Sequence, residues 1–467
     1  MNLTEQNNQM DKRPRRLFFS ATPLVFLLLI TLLYTQIFAS DSLPFNKWMQ
    51  QLANRKVSTN RFNKAIQSHE SFLPMLRRLV QGEDQSKLEN DGFACDFDYN
   101  SVVCVASELS LRIDTKRLTV QMVLNRTTLQ DKTTTIRPYA WQLSNKVLKN
   151  TTPVQIIHRI IASLPACKYI HTVPAVIFSS SGFRGNFFHE FNEVIIPLFT
   201  TSRLFQSNVQ FILSDYNPSF VSTYTQILSR FQVMNPDTNE SVHCFPAGAV
   251  NGLKFHDLLS TNTSSNINPG GYSMLNFKQF LRESYNLKEI QVDAKRPKLL
   301  LISRVKSRIF LNEEEIVNMM EELGFSVFIA RPNQMSNLTK FSKLVSSCSV
   351  MVGAHGAGLT NELFLPVGAA VVQVVPLGLE WVSSFYFGKP ARVMEVHYLE
   401  YKIEPEESSL IDRYRRDDPV IVDPQSIFDN SYEAGRAVYI TGQNLKIDIP
   451  RFRKILAEAR QLLGVLD

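Results

Sequence analysis

The chain has 467 residues, of which 44% are apolar and 20% charged, and it carries 32 phenylalanines. That length suits a membrane anchor plus two or three domains with large cores. The net charge of +7 is modest for the length. With no long basic run, zinc spacing or repeat beside it, it favours anionic ligands only weakly and does not point to nucleic acid.

Leu17 to Ala39 is a run of 23 residues without a charge. At about 1.5 Å per residue it is long enough to cross a hydrocarbon core of roughly 30 Å. Lys12, Arg13, Arg15 and Arg16 precede it, so the positive-inside rule keeps residues 1–16 in the cytosol and sends the rest to the lumen. A signal anchor over 17–39 is expected; a cleaved leader is the alternative, with only a weak cleavage pattern around Phe38-Ala39-Ser40. Asn125, Asn150, Asn239, Asn262 and Asn337 head glycan acceptor sequons, which suits a luminal body. All five cysteines follow the apolar run. Cys95 with Cys104, and Cys167 with Cys244, are candidate disulfides, with Cys348 left over.

Residues 40–94 read as a stem with helical patches such as Phe72 to Val80, a helical hairpin being the alternative. From Cys95 short β-rich runs follow, at Val102–Val105, Leu118–Leu124 and Thr133–Trp141, then a linker at His158–Leu164. Val173–Phe178 predicts a strand, Ser179–Asn186 a loop of small residues, and Phe187–Phe199 a helix. Further strands are expected at Val209–Leu213, Val242–Phe245 and Ala249–Leu253, helices at Ser219–Phe231 and Tyr272–Tyr285, and a long loop at Thr261–Gly271.

Beyond Pro297 the alternation is clearer. Strands at Lys298–Ser303, Phe325–Ala330, Ser349–Val352 and Ala369–Val375 enclose helices at Asn312–Leu323 and Met335–Ser347. Asn312 is placed as the cap of its helix, with Glu313, Glu314 and Glu315 at the positive end. This order predicts a parallel, doubly wound sheet. A terminal helix is expected over Asp448–Leu463. The fold class is therefore α/β: two Rossmann-type domains facing a cleft, the GT-B arrangement, with boundaries at 95–295 and 296–467.

The centre of the chain is Ser349-Val-Met-Val-Gly-Ala-His-Gly-Ala-Gly-Leu-Thr-Asn-Glu362. A strand, a turn containing Gly353, Gly356 and Gly358, and a helix start over Leu359–Leu365 make a seat for a phosphate. Glycines let backbone N–H groups approach the anion, and a helix N-terminus adds about half a positive charge. His355 and Ala357 lie within the turn. Ser303, Arg304 and Arg308 follow the first strand of the same domain, at the edge where doubly wound sheets bind ligands, and guanidinium groups match phosphate oxygens. Glu362 is placed to accept ribose hydroxyls, with helix capping or packing as its alternative.

Several segments together resemble plant glycosyltransferase family 61, and most closely its xylan arabinosyl- and xylosyltransferases. They are Val173-Pro-Ala-Val-Ile-Phe-Ser179, Gly185-Asn-Phe-Phe-His-Glu-Phe-Asn-Glu193, Ile196-Pro-Leu-Phe-Thr200, Leu301-Ile-Ser-Arg304 with Arg308 and Asn312, and Val352-Gly-Ala-His-Gly-Ala-Gly-Leu-Thr-Asn361. The resemblance runs from about Cys95 to the C-terminus. It implies a single-pass type II Golgi enzyme with a GT-B-like fold that inverts configuration. The donor would be a UDP-sugar, generally a UDP-pentose, and the acceptor xylan or another glycan of the cell wall. Glu190 and Glu193 stand where the family usually has aspartates.

Inverting transfer needs a base for the acceptor proton and positive charge for the departing diphosphate. His189, Glu190 and Glu193 are the catalytic candidates. His189 and Glu193 share a helix face, which suits either a base with its orienting partner or a buried structural pair. Asp96-Phe-Asp98 looks structural, so no metal ligand and no required cofactor is assigned. Two other readings are a xylosyl- or N-acetylglucosaminyltransferase acting on glycoproteins and a non-catalytic sugar-binding relative.

Overall fold

The computed structural model describes residues 72–98, 101–107, 111–123, 133–159, 164–238, 240–253, 272–288 and 292–464. The expected anchor at 17–39, the stem before residue 72, the loop at 261–271 and Asn125, Asn239 and Asn262 lie outside them. Among the described residues no helix is long and apolar enough to cross a membrane.

The fold is mixed α/β with three sheets. The first half supplies β1 (Phe93–Asp98), β2 (Ser101–Ala106), β3 (Leu111–Asp114), β4 (Thr119–Val123), β5 (Thr133–Ile136), β6 (Val154–Arg159), β7 (Tyr169–Ile170), β8 (Ala175–Phe178), β9 (Gln210–Leu213), β10 (Val233–Met234), β11 (Val242–Phe245) and β12 (Gly248–Val250). One six-stranded sheet runs β1-β2-β12-β8-β9-β10 and a second runs β5-β6-β4-β3-β11-β7. This half is thus more than a Rossmann-type unit. Only β12, β8, β9 and β10 form a parallel block, while β1 and β2 pair antiparallel at its edge.

The two sheets stack because their strands alternate. In β2, β8 and β9 the residues Cys104, Ala106, Ala175, Ile177 and Ile212 face the second sheet, meeting Leu111, Ile113, Val120 and Ile156. Val103, Val105, Val176, Phe178, Phe211 and Leu213 face the helices. Both sets are apolar, so the sequence shows a continuous apolar run, as expected of a strand buried on both faces. Each large side chain contributes about 1.5–3 kcal/mol by its burial. At Gly248 a Cβ would lie 2.6 Å from the Leu111 side chain and 2.8 Å from the Ala175 carbonyl, so glycine permits the close approach.

Several segments differ from the sequence-based expectations. The expected stem ends inside the body: a helix over 72–77, the turn after it and a second helix at Glu83–Asp91 bury Leu76, then Leu79 and Val80, then Leu88 in the core. The expected linker at 158–164 begins as the end of β6, which sheet pairing with β4 and β5 holds extended. The expected helix at 187–199 is three consecutive segments of different pitch. An α-turn at Phe187–Glu190 passes into a π-segment at Phe191–Ile195 and then an α-helix at Ile196–Leu204. Pro197 near the start of that last helix supplies no N–H, which relaxes the hydrogen-bond register there.

The second half holds β13 (Lys298–Ile302), β14 (Ser326–Ala330), β15 (Val350–Ala354), β16 (Ala370–Val375) and β17 (His397–Lys402) in a fully parallel sheet of order β14-β13-β15-β16-β17. Its fifth strand, β17, is a half-polar sequence past the point where regular alternation ends. Both faces are covered. Leu300, Ile302, Met351 and Val371 join the core shared with the first half, and Leu299, Leu301, Val352 and Val372 pack on the opposite side. The helix Met274–Ser284 crosses between the halves: Phe277 packs on Phe191 and Phe199, and Lys278 donates to the Met394 carbonyl at 3.0 Å. Asp448 caps the terminal helix Ile449–Leu463.

Asn312 precedes the helix Glu313–Glu322 but its side chain makes no capping bond. It pairs with the backbone of Ile447 in both directions, at 2.9 and 3.0 Å. Cys95–Cys104 and Cys167–Cys244 are disulfides. Cys348 is a free, buried thiol, pushed up to about 11 by that burial.

Candidate active site

The C-terminal edge of the parallel sheet carries a cationic seat. After β13 the chain turns through Ser303 to Arg308. Arg308 adopts φ +54, a left-handed conformation that costs a non-glycine residue about 1–3 kcal/mol. The turn is held there by its backbone, since Arg308 N–H donates to the Gln443 carbonyl at 2.7 Å. Arg304 Nε donates to the Ser307 carbonyl at 2.8 Å, and Arg308 Nη1 to the His355 carbonyl at 2.8 Å. Arg308 is buried and its Nε has no partner. No acidic side chain among the described residues forms an ion pair with either arginine. Burial, and then the charge of Arg304, push Arg308 down to about 9. Two close guanidiniums without a counter-charge are an anion site by composition.

The glycine turn closes over them. Gly356 has φ +150, ψ 175, a region open essentially to glycine. A Cβ there would lie 2.6 Å from Arg304 Nη1 and 3.5 Å from Arg308 Nη1. Gly353 meets Ile302 and Leu359 closely, and Gly358 meets Ile302, so the turn lies flat on the end of β13. The segment after it is a 3-10 helix, Ala357–Phe364, whose first N–H groups lack intrahelical partners.

His355 is held through Nδ1 by the Gln373 amide at 2.9 Å and the Ser383 hydroxyl at 3.1 Å. Burial, then Arg308 and Arg304, push it down to about 3. It is therefore a neutral hydrogen-bonding group, and the full charge belongs to the arginines.

Ser303 does not turn toward them: its hydroxyl bonds Glu313 at 2.5 Å and accepts from Arg331 at 3.1 Å. Glu362 is fully buried, raised well above the usual carboxylate range by that burial. With Asn192 and Thr360 it lines a small cavity between the halves, and its Oε2 has no partner.

In the first half, the loop after β8 leads to Asn186, whose Oδ1 accepts from the Phe188 and His189 amides at 3.2 and 3.5 Å. Glu190 is committed to the scaffold, accepting the Gly185 amide at 3.0 Å and the Tyr224 hydroxyl at 2.7 Å. Glu193 is 3% exposed and also committed: Oε1 meets His189 Nδ1 at 2.5 Å and Oε2 accepts from Tyr139. His189 is 26% exposed, and no hydrogen bond to its Nε2 is formed among the described residues. The three candidates thus separate by geometry: of the three, only His189 presents an uncommitted basic atom.

Aromatic rings join the two halves of the site. His189 meets Phe188 at 5.4 Å between centroids, Phe188 meets Phe387 at 5.7 Å, and Phe387 meets His355 at 5.5 Å. Tyr386 adds a contact to Phe188 at 4.9 Å. The structure therefore brings the His189 segment, the glycine turn and the arginines to one interlobe region. Tyr139, Gln373, Ser383 and Phe387 were not legible as site residues, because each arrives by tertiary packing without a local motif.

Asn150 and Asn337 are both exposed. Asp96 and Asp98 lie on β1, within the hairpin closed by Cys95 and Cys104.

A protein-family model, Glycosyltransferase 61, matches residues 157–372, a span from β6 to β16 that includes the His189 segment, both arginines and the glycine turn, and that leaves out Tyr139, Gln373, Ser383, Tyr386 and Phe387. The alpha-1,3-arabinosyltransferase XAT3 of Oryza sativa subsp. japonica is 36% identical over 418 residues, covering 85% of this chain and 72% of its own length. The xylan glycosyltransferase MUCI21 of Arabidopsis thaliana is 33% identical, covering 71% and 70%. The beta-1,2-xylosyltransferase XYXT1 of Oryza sativa subsp. japonica is 36% identical, covering 70% and 72%. Among solved structures, the iron-containing glycosyltransferase TibC of enterotoxigenic E. coli overlaps 79% of this chain and 96% of its own at 12% identity and a TM-score of 0.32, too loose a likeness to carry an argument. The chain belongs to glycosyltransferase family 61, and it is a glycosyltransferase.

Proposed function

We propose that this enzyme transfers a pentose, arabinose or xylose, from a UDP-sugar to xylan with inversion at the anomeric carbon. The relatives named above, arabinosyl- and xylosyltransferases, support the sugar and the acceptor. The observation that supports the chemistry is an arginine pair that forms no ion pair among the described residues, linked through the rings of Phe387 and Phe188 to His189, whose Nε2 is unbonded there.

In this reading the halves act as a GT-B-like pair. The diphosphate sits on Arg304, Arg308 and the amides of the turn from Gly356 to Gly358, with His355 Nε2–H donating one hydrogen bond to it. The acceptor hydroxyl oxygen attacks the anomeric carbon. Its proton passes to His189 Nε2, and the bond from that carbon to the phosphate oxygen breaks with its electron pair remaining on UDP. Glu193 stabilises the imidazolium formed at His189. The guanidiniums receive the charge that develops on the leaving group, an effect of several kcal/mol in a desolvated site. No divalent ion is required in this scheme. Residues 17–39 anchor the protein in the Golgi membrane with the body in the lumen.

The test is to incubate the full-length chain with several UDP-sugars and xylo-oligosaccharides and to detect the product by mass. Addition of a pentose from one donor with retention of the oligosaccharide backbone is the expected result. Transfer only to glycopeptides, or hexose transfer alone, contradicts the proposal.

A further inference from the structure

Tyr139 lies outside every motif that marks the family, 54 residues before Glu193 in the sequence, yet it touches three parts of the N-terminal side of the site. Its hydroxyl donates to Glu193 Oε2 and accepts the Phe183 amide at 3.3 Å. The Phe183 ring stacks on His189, with centroids 3.9 Å apart and planes 14° from parallel. His189 Nδ1 in turn meets Glu193 Oε1. The contacts form a closed circuit: Tyr139 to Glu193, Glu193 to His189, His189 to Phe183, and Phe183 back to Tyr139. Gly182 makes the circuit possible, because a Cβ there would lie 2.2 Å from the Tyr139 ring.

We propose that Tyr139 is a positioning residue that fixes the Glu193 carboxylate, and through it the His189 imidazole, for removal of the acceptor proton. This rests on the reading of His189 as the base. The Tyr139 hydroxyl takes one Glu193 oxygen and so turns the other toward His189 Nδ1, which leaves Nε2, the ring's opposite nitrogen, for the acceptor hydroxyl. Tyr139 itself, pushed above its ordinary range by burial and then by Glu193, remains a donor throughout the working pH range. The other titratable groups around the circuit are Glu190, tied to Tyr224; Arg184, bonded to Ser181; and Tyr386, packed on Phe188 from the other half.

The experiment is Tyr139→Phe in the full-length chain, with kcat and KM measured across pH beside His189→Gln. The Phe ring still fills the space against Gly182, so folding is retained, as thermal unfolding will register. Removing the hydroxyl makes the remaining carboxylate more basic and stabilises the imidazolium. The expected result is a fall in kcat of about ten- to a hundredfold, an unchanged donor KM, and a shift of the acid limb of the pH profile to higher pH. Gly182→Ala, which displaces the same ring, is expected to move the limb in the same direction. An unmoved acid limb in both variants overturns the inference, whether or not kcat and Tm fall, because that pattern belongs to a residue that only fills space. His189→Gln separates the two claims. If it is inactive while Tyr139→Phe is normal, the positioning role alone fails; if it is active, the assignment of the base fails first.

Discussion

Arg308 Nη1 donates to the main-chain carbonyl of His355 at 2.8 Å. That one bond ties the turn after β13 to the turn after β15, two segments 47 positions apart. Because the bond uses a single N–H of a guanidinium that has five, the rest of the group is available. Arg308→Ala is expected to weaken UDP binding by about ten- to a hundredfold, the range for a charge-assisted contact of roughly 1.5–3 kcal/mol. Isothermal titration with UDP reads it, and an unchanged affinity removes the phosphate assignment.

Gly356→Ala is expected to cost about 1–3 kcal/mol of stability from backbone strain alone and to displace Arg304, whose Nη1 stands 2.6 Å from the added Cβ. Thermal unfolding and UDP titration together measure the two effects. A variant that binds UDP normally means that the turn tolerates a side chain and does not need its close approach to the arginines.

His355 is held at about 3, below the ordinary histidine value near 6.5, by burial and then by the two arginines. The sign follows from proton uptake. Above about pH 6.5 both folded and unfolded chains carry a neutral ring. Below it the unfolded chain takes up a proton that the folded chain refuses, so stability falls with decreasing pH until the folded value is passed. His355→Gln is therefore expected to flatten the dependence of Tm on pH between about 6.5 and 4. His171, lowered to about 4 by burial and by His243, sustains part of the slope and sets its residual.

The two disulfides are expected to differ in worth. Cys95–Cys104 spans 9 positions and Cys167–Cys244 spans 77. In the chain-entropy model the longer loop constrains the unfolded chain more, with typical contributions of about 2–4 kcal/mol. Serine replacement of Cys167 and Cys244 should lower the denaturation midpoint more than replacement of Cys95 and Cys104. The reverse order points to native-state contacts as the larger contribution.

The second half was legible in the sequence because its β-α alternation and its glycine turn are local signals. Lys298–Ile302 and Val350–Ala354 declare themselves as apolar runs, and the turn at Gly353–Gly358 announces a strand meeting a helix. The stacked sheets of the first half were not, since facing apolar surfaces such as Ile177 and Leu111 are indistinguishable in sequence from one buried strand after another. Strand β17 was missed because His397, Glu400 and Lys402 break the apolar pattern while β16 supplies its hydrogen bonds. The site was legible to the level of residue types. That Asn312 serves Ile447 instead of capping its helix, and that Glu193 and Glu190 are committed while His189 is open, depend on partners far away in the chain.

The central claim is that His189 Nε2 takes the acceptor proton while the arginine pair holds the diphosphate. The most direct measurement is the transfer rate of His189→Gln together with its affinity for UDP. The account predicts a fall in kcat of about two to four orders of magnitude with UDP affinity and Tm close to wild type. A variant that transfers pentose at the wild-type rate contradicts it.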